Sequence, residues 1–148
     1  MYNHILIPTD GSDVAQKGVD HGLSLAKTLQ AKVTVILATE RFPYYVSGGA
    51  GWVATPRDVE GYDARQKEFA EQQLEKVREA AVKMGVPVEV LHVANADPAE
   101  AIIETAKARE CSLIVMSSHG RRGVGRLLLG SQTSNVLVGS PVPVLVVR

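Results

Sequence analysis

The chain has 148 residues, 45% of them apolar, and its sixteen basic and sixteen acidic residues cancel to a formal charge of zero. This length suits one domain with a substantial core, so a single domain is predicted over residues 1–148. The balanced charge favours neither nucleic acid nor an anionic membrane surface as a partner. The sequence shows no signal peptide, no apolar run long enough to span a membrane, and one cysteine, Cys111. We therefore expect a soluble cytoplasmic protein without an intrachain disulfide.

Strand and helix patterns alternate from the first residues onward. A short apolar strand is predicted at residues 4–7, and it ends at Pro8, which has no N–H to give to a sheet. Ser12 can cap a helix whose apolar residues recur every three or four positions. A second apolar strand follows at residues 32–39. Residues 40–62 read as an irregular segment that could form a flap, a partner surface or a hairpin.

The second half of the chain repeats the alternation. A second helix is predicted to end at Gly85, with the apolar stripe Ala70, Leu74, Val77, Ala81 and Met84. A strand at residues 88–93 precedes a third helix, whose start combines a capping aspartate, Asp97, with Pro98 at the first helical position. A strand at residues 112–117, a helix at residues 131–138 and a last strand at residues 142–147 complete the pattern.

The strands are almost continuously apolar, which is typical of parallel strands covered on both faces. Five strands alternating with four helices predict an α/β fold, a doubly wound five-stranded parallel sheet with helices on both faces. In such sheets ligands bind beyond the carboxyl ends of the strands, where the strand order reverses. Asp10 follows the first strand and a glycine-rich segment follows the fourth. If those strands are neighbours, both features face one crevice.

The glycine-rich segment, residues 117–131, contains four glycines and ends in Gly130-Ser131 at the start of a helix. Glycine lets main-chain amides approach a ligand closely, and a helix N-terminus favours an anion. Phosphate held by these amides and by the hydroxyls of Ser131 and Ser117 is one interpretation, and an ordinary surface turn is the other. A dinucleotide fingerprint would need G-x-G-x-x-G after the first strand, where this chain has Thr9-Asp10-Gly11-Ser12. A Walker A loop is excluded because no lysine follows Lys107.

Asp10 also has two interpretations. Its carboxylate can bond the main chain of the following turn, or it can contact Mg²⁺, a base or a ribose in the crevice. No arrangement of nucleophile and base is evident in the sequence, and the four histidines do not form a set. His4, His21 and His92 are expected to have structural roles, and His119 alone lies in the glycine-rich segment. The residues indicate binding rather than catalysis.

The spacing of the segment resembles the signature of the universal stress protein family. That signature is Gly-x-x-Gly, nine residues, then Gly followed by Ser or Thr. Here Gly120 is the second glycine and Gly130-Ser131 close the motif, with Ser117 in place of the first glycine. The resemblance covers the whole chain, including Asp10-Gly11-Ser12 after the first strand and the apolar C-terminal strand.

The resemblance implies a single-domain protein that binds ATP or a related adenine nucleotide, with Mg²⁺ held at Asp10 through the nucleotide. The main chain at Ala38 would contact adenine, Gly120 and Gly130 would approach the phosphates, and Ser131 would bind them. The complete set of nucleotide-binding residues predicted on this basis is Pro8, Thr9, Asp10, Ala38, Ser117, His119, Gly120, Arg121, Gly123, Gly130, Ser131, Gln132 and Thr133.

The resemblance also implies a homodimer through the last strand, residues 142–147, which as an exposed edge needs a partner. The predicted function is that of a regulatory dimer in the stress response, acting on an unknown regulatory protein partner. The alternatives are a slow Mg²⁺-dependent ATPase, a scaffold without nucleotide whose pocket Ser117 has closed, and a cyclic AMP binder. The sequence does not fix the number of phosphates.

Overall fold

The computed structural model describes residues 1–43, 53–120 and 128–148. Within these ranges the strands are β1 (His4–Pro8), β2 (Lys32–Ala38), β3 (Val88–Val93), β4 (Leu113–Ser117) and β5 (Val144–Val147). The helices are α1 (Asp13–Leu29), α2 (Pro56–Met84), α3 (Pro98–Ala108) and α4 (Ser131–Gly139). The strands form one sheet in the order β3-β2-β1-β4-β5, and every neighbouring pair is parallel. This confirms the predicted fold class.

Helices cover both faces of the sheet because alternate strand residues point to opposite sides. Ile5 and Ile7 of β1 pack in one core with the apolar faces of α1 and α2. Leu6, between them, packs in the opposite core with residues of α3 and α4. All three side chains are 0% exposed. The central strand is therefore buried on both faces, as its apolar sequence predicts.

The predicted helix ends are confirmed where capping residues mark them. The Ser12 hydroxyl accepts a hydrogen bond from the Ala15 amide at 3.1 Å, and the Asp97 carboxylate accepts one from the Glu100 amide at 3.1 Å. Gly85 ends α2 in the left-handed conformation, with φ of 74°. The bounds of β3 are as predicted, and those of the other strands differ by one or two residues; β1, for example, includes Pro8.

The start of α2 is a correction, because it lies inside the segment predicted to be irregular. The helix begins at Pro56, and a reciprocal capping box between Thr55 and Asp58 fixes its first turn. This signal is local and readable, but it lies among glycines and tyrosines that suggest a loop. Residues 44–52 of that segment are outside the described part of the chain.

The strand order places β1 directly beside β4, with Ile5 opposite Leu113 and Leu6 opposite Ile114. The chain crosses from β1 to β2 on one side and from β4 to β5 on the other, so the strand order reverses between β1 and β4. The turn after β1 and the segment after β4 consequently leave the same edge of the sheet, so the structure meets the condition that the sequence left open. No helix of the described ranges has the length and apolar character needed to cross a membrane.

Candidate functional site

A cavity of about 330 Å³ opens at the carboxyl ends of β1, β2 and β4. Every predicted site residue that the structure describes lines this cavity. They are Pro8, Thr9, Asp10, Ala38, Ser117, His119, Gly120, Gly130, Ser131, Gln132 and Thr133. Arg121 and Gly123 lie outside the described residues. Tertiary structure thus brings together residues that are up to about 125 positions apart in the chain.

The turn after β1 is organised by its own side chains. Thr9 Oγ1 accepts a hydrogen bond from the Gly11 amide at 3.2 Å, and Asp10 Oδ1 accepts one from the Ser12 amide at 2.9 Å. The other carboxylate oxygen faces Gly120, where an added Cβ would lie 2.5 Å from Asp10 Oδ2. Asp10 therefore bonds the main chain of the turn, which is the first of the two interpretations of this residue. Its carboxylate also lies in the cavity wall.

Ser117 is buried, and its hydroxyl is used within the loop. Ser117 Oγ donates to the main-chain carbonyl of His119 at 2.7 Å. On the other side α1 packs so closely that a Cβ on Gly18 would lie 2.8 Å from the Ser117 amide nitrogen. The serine that replaces the first signature glycine thus stabilises the turn that leads to Gly120. The cavity beside Ser117 is open.

Thr133 joins the first turn of α4 to the end of β4. Its hydroxyl is within donating distance of the carbonyls of Ser117, at 3.2 Å, and Ser118, at 3.1 Å. The Gly130 amide also donates to the Ser118 carbonyl, at 2.8 Å. The Thr133 side chain is 2% exposed. Its hydroxyl hydrogen is therefore used inside the protein, and Thr133 positions α4 against the strand.

The N-termini of two helices, α3 and α4, face this cavity, and the main-chain N–H groups of their first turns have different hydrogen-bond partners. In α3, Pro98 has no N–H, the Ala99 amide donates to Gln132 Oε1 at 3.1 Å, and the Glu100 amide donates to the Asp97 carboxylate. In α4 the N-cap is Gly130, and among the described residues no side-chain hydrogen bond caps the helix. The positive end of α4 is thus the one left for an anion from outside the chain.

The end of β2 presents main-chain groups to the cavity. β1 ends at Pro8 opposite Ile36, and the Thr9 amide donates to the Ile36 carbonyl at 2.9 Å. β2 continues for two more residues, and the main chain of Ala38 faces the same side as that of Ile36. The amide and carbonyl of Ala38 therefore extend past the end of β1, where they form a donor and acceptor pair suited to the edge of a planar base.

The sequence-based set omitted the residues of α2 that line the cavity, namely Tyr62, Gln66 and Phe69. The Tyr62 hydroxyl donates to the Glu40 carbonyl at 3.3 Å, and its ring packs edge-on against Phe42 with centroids 5.4 Å apart. These residues continue the helical stripe N-terminal to Ala70, which is the signal that could have identified them. Apolar wall residues complete the cavity: Ile36, Leu37, Ile102 and Met116.

The histidines divide as predicted into three outside the cavity and one in its wall. His4 and His92 share hydrogen bonds with threonine hydroxyls, Thr34 at 2.8 Å and Thr39 at 2.7 Å. The pKa of His4 and the pKa of His92 are both lowered, mainly because burial disfavours the charged ring. In the cavity wall, His119 Nδ1 lies 3.0 Å from Ser118 Oγ, and Nε2 is buried without a hydrogen-bond partner among the described residues.

The donor set in the cavity suits a magnesium ion only as part of a nucleotide complex. In the described residues no three histidine, cysteine, aspartate or glutamate side chains cluster closely enough to hold a metal. Mg²⁺ is commonly bound by one or two carboxylates together with substrate phosphates. Asp10 lines the cavity and can supply such a carboxylate.

Known proteins resemble the chain along its full length. The model of the universal stress protein family matches residues 1–148. Universal stress protein MJ0531 of Methanocaldococcus jannaschii is 34% identical, over 100% of this chain and 83% of its own length. The structure of MJ0577 from the same organism superposes with a TM-score of 0.82 at 27% identity, covering 99% of this chain and 96% of that one.

A solved universal stress protein in complex with cAMP has the same fold, with a TM-score of 0.69 at 24% identity, covering 99% of this chain and 97% of that one. The match of the family model over every residue, the full-length sequence relative and the shared topology agree with one another. This chain belongs to the universal stress protein family.

Proposed function

We propose that this protein binds an adenine nucleotide, with ATP the preferred form, in the cavity at the carboxyl ends of β1, β2 and β4. The observation that carries the proposal is the uncapped N-terminus of α4 at the cavity wall, next to the close-approach positions Gly120 and Gly130. The other three helices in the described ranges have a side-chain cap, from Ser12, Thr55 and Asp97. The helix without one is the helix that would receive the phosphates.

The rest of the cavity suits the remainder of a nucleotide. Its volume of about 330 Å³ falls in the range of small-molecule sites, about 300–1,000 Å³. Apolar walls and the main chain of Ala38 provide for the base, and Asp10 provides a carboxylate for the sugar or for nucleotide-bound Mg²⁺. The complex of a relative with cAMP supports an adenine nucleotide as the ligand class.

Nucleotide retained by the purified protein tests the proposal directly. The protein is denatured, and the released small molecules are identified by mass spectrometry. The stripped protein is then titrated calorimetrically with ATP, AMP and cAMP, and we expect ATP to bind most tightly because α4 and the glycines can contact several phosphates. Absence of both retained nucleotide and measurable ATP binding at millimolar concentration would refute the proposal.

Two serines on α4 provide a matched pair of variants. Ser131 is the first residue of the helix and lines the cavity, whereas Ser134 lies one turn later and does not line it. Ser131→Ala should weaken ATP binding by about three- to tenfold, which corresponds to one hydrogen bond. Ser134→Ala should leave the affinity unchanged. Equal affinities for the two variants would show that the phosphates lie elsewhere.

We propose further that the protein forms a homodimer through residues 142–147. β5 is an edge strand, and its neighbourhood exposes Leu145, Leu137 and Val138. The opposite edge, β3, has the charged residue Glu89, which pairs with Arg109 at 2.9 Å, and charge discourages edge pairing. β5 is therefore the edge better suited to a second copy.

Sedimentation analysis tests the dimer. We expect the wild type to sediment as a dimer and Leu145→Lys as a monomer. Val82→Lys is the control, because Val82 is an exposed apolar residue of α2, 62% accessible, far from β5 in the fold. A monomeric wild type at high concentration, or a dimeric Leu145→Lys variant, would contradict this interface.

We propose that the dimer acts in the cytoplasm as a regulatory protein of the stress response, with the nucleotide as the signal read by a protein partner. A ligand shifts a conformational equilibrium only through its different affinity for the two states. ATP should therefore slow amide hydrogen exchange in the turn after β1 and in the first turn of α4, and leave exchange in β3 unchanged. Identical exchange with and without bound ATP would contradict a signalling role.

A further inference from the structure

The N-terminal part of α2 extends beyond the sheet. The helix has 29 residues, about 43 Å at 1.5 Å per residue, whereas β2 has seven residues, about 23 Å. The turns from Ala70 onward pack on the sheet, and the turns before it form a wall of the cavity. The capping box at Thr55 and Asp58, with a main-chain donor at 2.8 Å, fixes the first turn of this extension.

Gln66 lies at the end of the cavity farthest from the anion site. Besides the main cavity it lines a smaller one, of about 180 Å³, together with His92 and Asn95 at the end of β3. β3 and β2 are on one side of β1, and β4 with the adjoining α4 is on the other. A nucleotide with its phosphates at α4 would therefore place its base near β2 and Gln66.

The side chains around Gln66 make hydrogen bonds or packing contacts within the protein. Tyr62 donates to the Glu40 carbonyl, and Thr39 Oγ1 lies 2.7 Å from His92 Nε2. Phe69 packs against the turn after β1, where a Cβ on Gly11 would lie 2.9 Å from the Phe69 ring. The half-buried Gln66 carboxamide makes no hydrogen bond within the described ranges. It therefore offers an N–H donor beside a carbonyl acceptor to a ligand in the cavity.

We propose that Gln66 selects the base by pairing its carboxamide with the N6 amino group and the N7 atom of adenine, an inference that rests on the proposed nucleotide function. A glutamine amide matches this donor and acceptor pair. Guanine has an acceptor, O6, in place of the amino group, so the carbonyl of Gln66 would face a second carbonyl. Main-chain contact at Ala38 and side-chain contact at Gln66 would then read two edges of one base.

A double-mutant cycle between the side chain and the base tests this inference. Calorimetry compares ATP with 7-deaza-ATP, which lacks the N7 acceptor, on the wild type, Gln66→Ala and Gln66→Glu. We expect the wild type to prefer ATP by about three- to tenfold and Gln66→Ala to bind the two ligands equally. Gln66→Glu should lose the preference for ATP or reverse it, because an acceptor-only carboxylate would face the N7 acceptor. Gln72→Ala, an exposed glutamine of α2 that does not line the cavity, is the control and should keep the wild-type preference.

The possible outcomes separate this inference from the proposed function. Tight ATP binding with an unchanged ATP preference in Gln66→Ala would overturn the base contact and leave nucleotide binding intact. Coupling of Gln66 to 3′-deoxy-ATP, but not to 7-deaza-ATP, would assign the carboxamide to the sugar and also overturn it. A folded wild type that binds no adenine nucleotide would overturn both.

Discussion

Gly130 offers the strongest test of the anion site, because one substitution should change stability and binding in opposite directions. Its φ of −58° and ψ of 151° are open to any residue. Gly130→Asp would give α4 the kind of carboxylate cap that Asp97 gives α3. Gly130→Ala is the matched control, since both variants add a Cβ that would lie 3.1 Å from the Ser118 carbonyl oxygen.

The magnitudes follow from this geometry. A capping side chain stabilises a helix by about 1 kcal/mol relative to alanine, which raises the melting temperature by about 2–4 °C in a chain of this size. A phosphate 4 Å from the new carboxylate is repelled by about 4 kcal/mol under partly screened conditions. Even a quarter of that repulsion is a loss of about fivefold in affinity. The nucleotide-free Asp variant should thus melt higher than the Ala variant and bind ATP at least fivefold more weakly.

Thermal melting of nucleotide-free protein and calorimetric titration with ATP measure the two effects. The difference in affinity should shrink as salt is added, because both charges are near solvent. An Asp variant that binds ATP as tightly as the Ala variant would show that α4 does not receive the phosphates. Equal melting temperatures would show that the N-terminus of α4 does not require a cap.

Other perturbations give equally definite expectations. Gly18→Ala should destabilise the fold by about 1–3 kcal/mol, because its Cβ would meet main-chain atoms at 2.8 Å. Gly61→Ala should stabilise it by about 0.5–1 kcal/mol, because its Cβ meets only the end of a long side chain; denaturant unfolding checks both, and the same sign for both would contradict the packing. The pKa of His4 and that of His92 are lowered from 6.5 in the folded protein. As the pH falls, these histidines are therefore protonated in the unfolded chain before they are protonated in the folded one. Stability should therefore fall as pH drops below about 6.5, and His4→Gln should reduce this slope in urea titrations. Burial raises the pKa of the Cys111 thiol to about 11, so a disulfide reagent should modify it only when the protein unfolds.

The alternation of elements was readable in the sequence because each element carries its own local signal. The apolar strands, the caps at Ser12 and Asp97, and the terminating Gly85 depend on neighbours within a few residues. The family signature was readable for the same reason, since its spacing lies within one segment. Local signals also explain the error at α2, where the capping box at Thr55 was outweighed by the irregular composition before it.

The apolar stripe of α2 could have extended the predicted helix to Tyr62, Gln66 and Phe69, but nothing in the stripe shows that this part of the helix reaches past the sheet and lines the cavity. The two interpretations of Asp10 were also left open until the structure showed one oxygen bonded to the turn and the other facing Gly120. A motif does not distinguish a hydroxyl that binds a ligand from one that bonds the protein itself. The hydroxyls of Ser117 and Thr133 both donate to main-chain carbonyls of the protein.

Sequence by itself determined the type, order and parallel packing of the elements, since periodicity and capping act over short distances. Tertiary structure alone decided that β1 lies beside β4 and that Gln132 of α4 accepts a further hydrogen bond from the first turn of α3, whereas no side-chain cap is found on α4 among the described residues. Those relations depend on contacts between residues far apart in the chain, which a local pattern does not encode. The same contacts leave the N-terminus of α4 as the helix end that can bind an anion.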